Sequence, residues 1–250
     1  MSRYRLTVAY DGTAYAGWQV QPGVETVQLA LERAIGKILQ LELRVFCSGR
    51  TDAGVHGEGQ VIHFDADREL DPFRFCHSVN AVIAPDIRVR DLQSVPDDWN
   101  ARFDVLNKTY RYRIWNGAAV PPFFRLYRTH VSGELDDAAM REAAALLVGE
   151  YDFASFSANP NREMDSTVRT VFKLDVIRDG AALDFEVQGS GFLYKMVRSI
   201  AGCLISVGQG KLTVDEVRVI RDAAERSQAV STAPSLGLFL WEVVYHDTIN

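Results

Sequence analysis

An arginine and an aspartate two positions apart, bracketed by glycines, form the part of this chain best suited to chemistry: Gly49-Arg50-Thr51-Asp52-Ala53-Gly54-Val55-His56. The pattern is that of a strand running into a tight turn. Such a turn lifts a carboxylate clear of a core and sets a guanidinium beside it. A neighbouring positive charge favours the ionised acid. An ionised, partly desolvated aspartate is a nucleophile, and carboxylate nucleophiles form covalent intermediates with sugars, bases and phosphoryl groups. The same spacing also suits an ordinary turn whose aspartate caps backbone N–H groups and whose arginine makes a structural salt bridge. Spacing alone does not separate the two readings.

A second stretch suits polyanion binding. From Trp99 to His130 the cations Arg102, Lys108, Arg111, Arg113, Arg125 and Arg128 are opposed within the stretch only by Asp104. They interleave with Trp99, Phe103, Tyr110, Tyr112, Trp115, Phe123, Phe124 and Tyr127. Cations alternating with rings suit phosphate contact and base stacking; they equally suit a strand core with a solvated arginine face. The net charge of −6 argues against a nucleic-acid partner unless charge is unevenly distributed. The histidines, His56, His63, His77, His130 and His246, show no metal-ligand spacing; His63, between Ile62 and Phe64, reads as a hydrogen-bonded strand residue. Cys47, Cys76 and Cys203 are odd in number and far apart, which fits reduced thiols in a cytosolic protein. No phosphate-cradling glycine loop or dinucleotide fingerprint is present. Glu58 is the carboxylate nearest Asp52 in sequence, in no arrangement that a two-carboxylate hydrolase needs.

The elements that must hold these residues follow from periodicity. Residues 3–10 alternate as a strand that turns at Asp11-Gly12. Val27, Leu31, Ile35, Ile38 and Leu39 mark one helix face. Strands are expected at 42–47 and 60–65, flanking the Asp52 turn, and at 88–95 and 108–115. Asp71-Pro72 caps and opens a helix that stops before Pro85. A helix over 136–148 is expected to end at Gly149 as its C′ glycine. Residues 170–178 and 181–187 form a hairpin around Asp179-Gly180. Leu193, Met196, Val197, Ile200 and Leu204 line a helix ending before Gly208, and Thr213 with Glu216 is a capping box. The last strand is 238–245. The stretches 116–125, with Pro121-Pro122, and 157–167, with Asn159-Pro160-Asn161, read as loops. Strands paired through helices suggest an α+β fold with a substantial antiparallel sheet. Its two halves are expected at 1–105 and 106–250. With 47% hydrophobic and 24% charged residues the composition is that of a soluble globular protein. No apolar run approaches the roughly 18 residues of a membrane span. The start, Met1-Ser2-Arg3-Tyr4, enters a strand pattern with no apolar signal core, so a cytoplasmic location is expected.

The octapeptide around Asp52 resembles the active-site signature of the tRNA pseudouridine synthase A family. Further blocks are similar to that family in the same order: Tyr10-Asp11-Gly12-Thr13, Gly17-Trp18-Gln19-Val20-Gln21-Pro22, Thr26-Val27-Gln28, Lys108-Thr109-Tyr110-Arg111-Tyr112, Gly149 to Phe156, Gly191-Phe192-Leu193-Tyr194-Lys195-Met196-Val197-Arg198, and Ala233 to Leu238. The resemblance runs nearly end to end. Ser48 and Gly57 depart from alanine-like positions, and Ser190 fills a variable slot; no charged or aromatic position is affected.

The resemblance implies two pseudo-symmetric α/β halves whose antiparallel sheets meet across a catalytic cleft. It implies an isomerase, an intramolecular transferase, that converts uridine to pseudouridine at positions 38–40 of the tRNA anticodon stem-loop. No metal or cofactor is implied, and the working form is a cytoplasmic homodimer with tRNA lying across both subunits. In this reading Asp52 is the nucleophile, attacking ribose C1′ or base C6. Arg50 pairs with Asp52 or fills the stack vacated by the extruded base. Tyr110, selected over Tyr112 by the Lys108-Thr109-Tyr110 block, stacks on the uracil and handles a proton. Arg198 ion-pairs near Asp52, and Leu238 packs against the target base. The rival is a non-catalytic RNA-binding or tRNA-folding protein on the same scaffold, which would have no use for an aspartate facing an RNA backbone.

Overall fold

The computed structural model describes residues 1–158, 166–225 and 230–246. The expected Asn159-Pro160-Asn161 loop lies outside the described residues. In chain order the elements are β1 (Ser2–Tyr10), α1 (Val27–Leu39), β2 (Phe46–Cys47), β3 (His56–Ala66), α2 (Pro72–Val82), β4 (Ile87–Val95) and β5 (Val105–Trp115). They continue with β6 (Thr129–His130), α3 (Asp137–Leu146), β7 (Gly149–Asp152), β8 (Val168–Asp179), β9 (Ala182–Gly189), α4 (Met196–Gly208), α5 (Val214–Ala223) and β10 (Leu238–Tyr245). The chain divides into two compact units, Met1–Leu106 with Leu240–Asn250, and Asn107–Phe239. A single cut after residue 105 misses the return of β10 from Leu240 onward to the first unit.

In the first unit β1 lies antiparallel between β4 and β3. Alternation does the work expected of it: Tyr4, Leu6, Val8 and Tyr10 are buried on one face of β1 and pack with Val27, Leu31 and Ile35 of α1 and Phe75 and Val79 of α2. Thr26 and Asp71 cap the two helices, accepting from Leu29 N–H and Arg74 N–H. The register of β1 on β3 slips between Val8, opposite Gln60, and Tyr10, opposite Gly57. Strand 42–47 shrinks to the two residues of β2. Its Val45 is claimed instead by α1: Glu32 accepts Val45 N–H at 3.1 Å, and Gln28 donates to Val45 C=O at 3.3 Å.

His63 of β3 is buried. Its Nδ1 accepts Ala101 N–H at 3.1 Å, and its ring stacks on Phe46 and meets Trp99 edge-on. This holds the ring neutral. Burial, with Arg3 repelling a second positive charge, pushes its pKa down to about 4. The unfolded value is about 6.5, so the unfolded chain binds the extra proton first. The stabilisation is therefore complete above pH 6.5 and lost as the pH falls from 6.5 toward 4, by on the order of 2–3 kcal/mol. Urea midpoints at pH 7.5 and 4.5 should separate wild type from His63→Asn, which keeps an acceptor and does not titrate: the wild type is expected to lose the more stability on acidification.

In the second unit the antiparallel order is β5-β9-β8-β7, and β6 adds in parallel at the end of β5. The β8–β9 hairpin closes at Gly180, whose φ of +56° suits a residue without a Cβ. Helix α3 stops earlier than expected, with Leu147 as its C-cap in right-handed conformation; Gly149, at φ +134°, opens β7 rather than closing the helix. Helix α4 begins at Met196, so Leu193 is buried ahead of the helix rather than in it. The Thr213–Glu216 capping box on α5 forms as expected, with both reciprocal bonds present.

Candidate active site

The Asp52 turn is built by three sequence segments of the first unit. Strand β3 anchors its far side, where Gln60 donates to Gly49 C=O at 2.8 Å and accepts the Ser48 hydroxyl at 2.6 Å. The turn itself closes with Val55 N–H donating to Asp52 C=O at 3.1 Å, and Gly54 takes φ +76°. The Tyr10-Asp11-Gly12 segment forms one wall. Gly12 N–H donates to His56 Nδ1 at 3.1 Å, and a Cβ on Gly12 would lie 1.9 Å from Val55 O. The Gly17-Trp18 segment forms the other. Trp18 N–H donates to Thr51 C=O at 3.0 Å, and a Cβ on Gly17, which sits at φ +94°, would come within 2.9 Å of Thr51 O. Two glycines are thus required because main chain passes against main chain.

Within the turn Arg50 is exposed, Thr51 buried and Asp52 half-buried. Among the described residues no ion pair joins Arg50 to Asp52. Arg50, Thr51 and Asp52 lie beyond the end of β2 at Cys47, so strand alternation does not set side chains two apart on one face. Arg50 presents its guanidinium to solvent instead.

The other candidate residues belong to the second unit. Tyr110, on β5 opposite Val187, is buried, and its ring meets Phe192 edge-on at 5.2 Å between centroids. Tyr112 is fully buried and its hydroxyl bonds Thr129 Oγ1 at 2.7 Å and donates to Pro234 O at 3.0 Å. Burial pushes that phenol up to about 12. Tyr112 is therefore committed to the core, and Tyr110, two residues before it on β5, is buried as well. Arg198, in the first turn of α4, donates Nε–H to Ala233 O at 2.8 Å, and Ala233 N–H returns to Arg198 O at 3.0 Å. This exchange pins the segment leading to Leu238, which is buried. Gly237 permits it, since a Cβ there would lie 2.7 Å from Arg113 O. Phe192, read from the sequence as sharing a helix with Met196 and Arg198, lies ahead of α4, and its edge contact with Tyr110 brings it among the candidate residues.

The basic stretch is less basic in space than in sequence. Arg111 pairs with Glu186 at 2.7 Å, Arg128 with Asp184 at 2.6 Å, and Arg113 with the same Asp184 at 3.8 Å. The acids come from β9, whose register sets Glu186 opposite Arg111 and Asp184 opposite Arg113. The aromatics divide as well: Trp99 and Tyr112 are core, whereas Phe103 and Phe123 are exposed, with the Arg102 guanidinium over the Phe103 ring. Among the described residues no group of three or more His, Cys, Asp or Glu side chains could hold a metal ion, and no helix is long and apolar enough to cross a membrane.

A family profile described as tRNA pseudouridine synthase matches residues 6–104 and 143–246. A tRNA pseudouridine synthase A of Brevibacillus brevis is 45% identical over 247 residues, covering 98% of this chain and all of its own. Those of Bacillus pumilus and Bacillus subtilis are 43% and 42% identical over 245 residues, each covering 97% of this chain and 99% of the relative.

Proposed function

Taking as premise that the chain belongs to the tRNA pseudouridine synthase family, we propose that it isomerises uridines of the tRNA anticodon arm, at positions 38–40, with Asp52 as nucleophile. The observation that carries the reading is the construction of the Asp52 turn. Three segments, two of them brought into close main-chain contact by obligatory glycines, fix the main chain that carries one half-buried carboxylate.

The chemistry asks for such an anchor. The C1′–N1 bond of uridine breaks, the uracil turns, C5 bonds to C1′, C5 loses its proton and N1 gains one; no atom is gained or lost overall. Asp52 attacks ribose C1′, or adds to base C6, and leaves when the new bond is made. A held carboxylate lowers the entropic part of that barrier. Tyr110 supplies a stacking face for the extruded uracil and a hydroxyl for proton movement. Leu238 packs against the base. Arg198 supplies a cation for the ionised site, and Arg50, exposed in the free protein, fills the stack that the target base leaves. The tRNA is the partner, and a cytoplasmic homodimer is the working form.

Tyr110→Phe keeps the ring and removes the proton. It is expected to lower kcat about 10²-fold with KM for tRNA within about twofold, whereas Tyr110→Ala raises KM as well. Steady-state kinetics on one transcript distinguish these. Positional specificity is tested with unmodified transcripts in which uridines at 38, 39 and 40 are replaced one at a time and together. Product confined to those positions supports the reading; pseudouridine formed elsewhere in the triple replacement overturns the assignment of the anticodon arm.

A further inference from the structure

Tyr10 stands outside the chemistry yet touches both feet of the Asp52 turn. Its hydroxyl lies 2.8 Å from Thr51 Oγ1, in a buried hydrogen bond between residues 41 apart in sequence. Its ring lies so close to Gly57 that a Cβ there would come within 2.4 Å of the ring edge. The ring also packs on Trp18 at 5.8 Å between centroids, and Trp18 is the residue whose N–H holds Thr51 C=O. Thr51 is therefore gripped twice, by its carbonyl from Trp18 and by its hydroxyl from Tyr10. It is the residue immediately before Asp52. The slip in register between Val8 and Tyr10 on β3 places Tyr10 where this contact forms, which is the usual service of a bulge beside a site.

The geometry points to Tyr10 as a positioning residue: through the Thr51 hydroxyl it sets the direction in which Asp52 leaves the turn. A core tyrosine needs only a partner for its hydroxyl, and a main-chain carbonyl would serve. This partner is the side chain adjoining the nucleophile, so loss of the bond leaves Thr51 free to rotate and the turn less defined. The inference rests on Asp52 being the nucleophile.

The test is a double-mutant cycle on single-turnover rates, with Asp52→Ala measured alongside. Tyr10→Phe keeps the ring packing against Gly57 and Trp18 and removes the bond. Thr51→Val removes it from the other side, and Thr51→Ser restores a hydroxyl. Each of the first two is expected to slow turnover about five- to tenfold, with KM and tRNA affinity within about twofold. The double variant should be no slower than the slower single one, because both remove the same bond. Thr51→Ser is expected to recover most of the Thr51→Val loss. Rates are read well below each variant's melting temperature, where a merely structural role would leave kcat unchanged. A Tyr10→Phe rate within twofold of wild type, or additive losses in the double variant, would overturn the inference while an inactive Asp52→Ala left the nucleophile in place. An active Asp52→Ala would instead remove the reading beneath it.

Discussion

Asp52→Asn is expected to lower turnover by at least about 10⁴-fold while leaving tRNA affinity within about threefold. Asparagine matches aspartate in shape and is at ease in turns. Three bonds to main-chain carbonyls that shape the turn do not use the carboxylate: Val55 N–H to Asp52 C=O, Trp18 N–H to Thr51 C=O, Gln60 to Gly49 C=O. All of these survive the substitution. What disappears is the negative oxygen that, on the proposed mechanism, bonds to carbon, and the amide oxygen that replaces it is not a carboxylate nucleophile. Single-turnover assays with base analysis measure the rate, and filter binding measures the affinity. Asparagine can deamidate back to aspartate, so Asp52→Ala is run beside it; a residual rate shared by both variants and above about 1% of wild type would contradict the assignment.

The second large effect belongs to a residue with no functional group. Gly12→Ala is expected to destabilise the protein by about 3–4 kcal/mol, lowering the melting temperature by about 10 °C, and to silence the enzyme even where it remains folded. Its Cβ would lie 1.9 Å from Val55 O, a main-chain atom of the Asp52 turn that cannot rotate away. Either the Gly12 segment or the turn must move, and a displacement of an ångström at the proposed nucleophile is enough to lose about 10²-fold in rate. Gly23→Ala is the control. Gly23 takes a positive φ, +75°, but nothing lies within 4 Å of its would-be Cβ, so only the conformational penalty of roughly 1 kcal/mol applies. Calorimetry and turnover of the two variants measure the contrast. Equal melting temperatures would mean that the turn yields to Gly12 without strain.

Local signals were legible from sequence and long-range pairings were not. Asp71 before Pro72 and Thr213 before Glu216 announced helix starts because a cap is complete within four residues. The alternation of Tyr4, Leu6, Val8 and Tyr10 announced a one-sided strand for the same reason. The shortening of β2 was invisible, since Gln28 and Glu32 had first to come round on α1 to take Val45's main-chain groups. So was the neutralisation of Arg111, Arg113 and Arg128 by acids of β9, which depends on the register of strands some 75 residues apart. At the candidate site Asp52 stood out by its neighbours. Thr51 did not, because its partner Tyr10 is 41 residues away and looks from sequence like any buried strand tyrosine. Gly12 and Gly17 appeared only as members of similar blocks; the reason for glycine there is the passage of one main chain against another, which the folded chain alone displays.

The central claim, that this protein isomerises uridine through Asp52, is tested most directly by following the proton that must leave C5. An unmodified tRNA transcript tritiated at uridine C5 is incubated with wild-type protein and with Asp52→Ala, a chelator being present throughout. The expected result is tritium released into solvent by the wild type in proportion to pseudouridine formed, and none by the variant, with both proteins binding the transcript. Binding without tritium release by either protein would contradict the claim and leave an RNA-binding protein in its place.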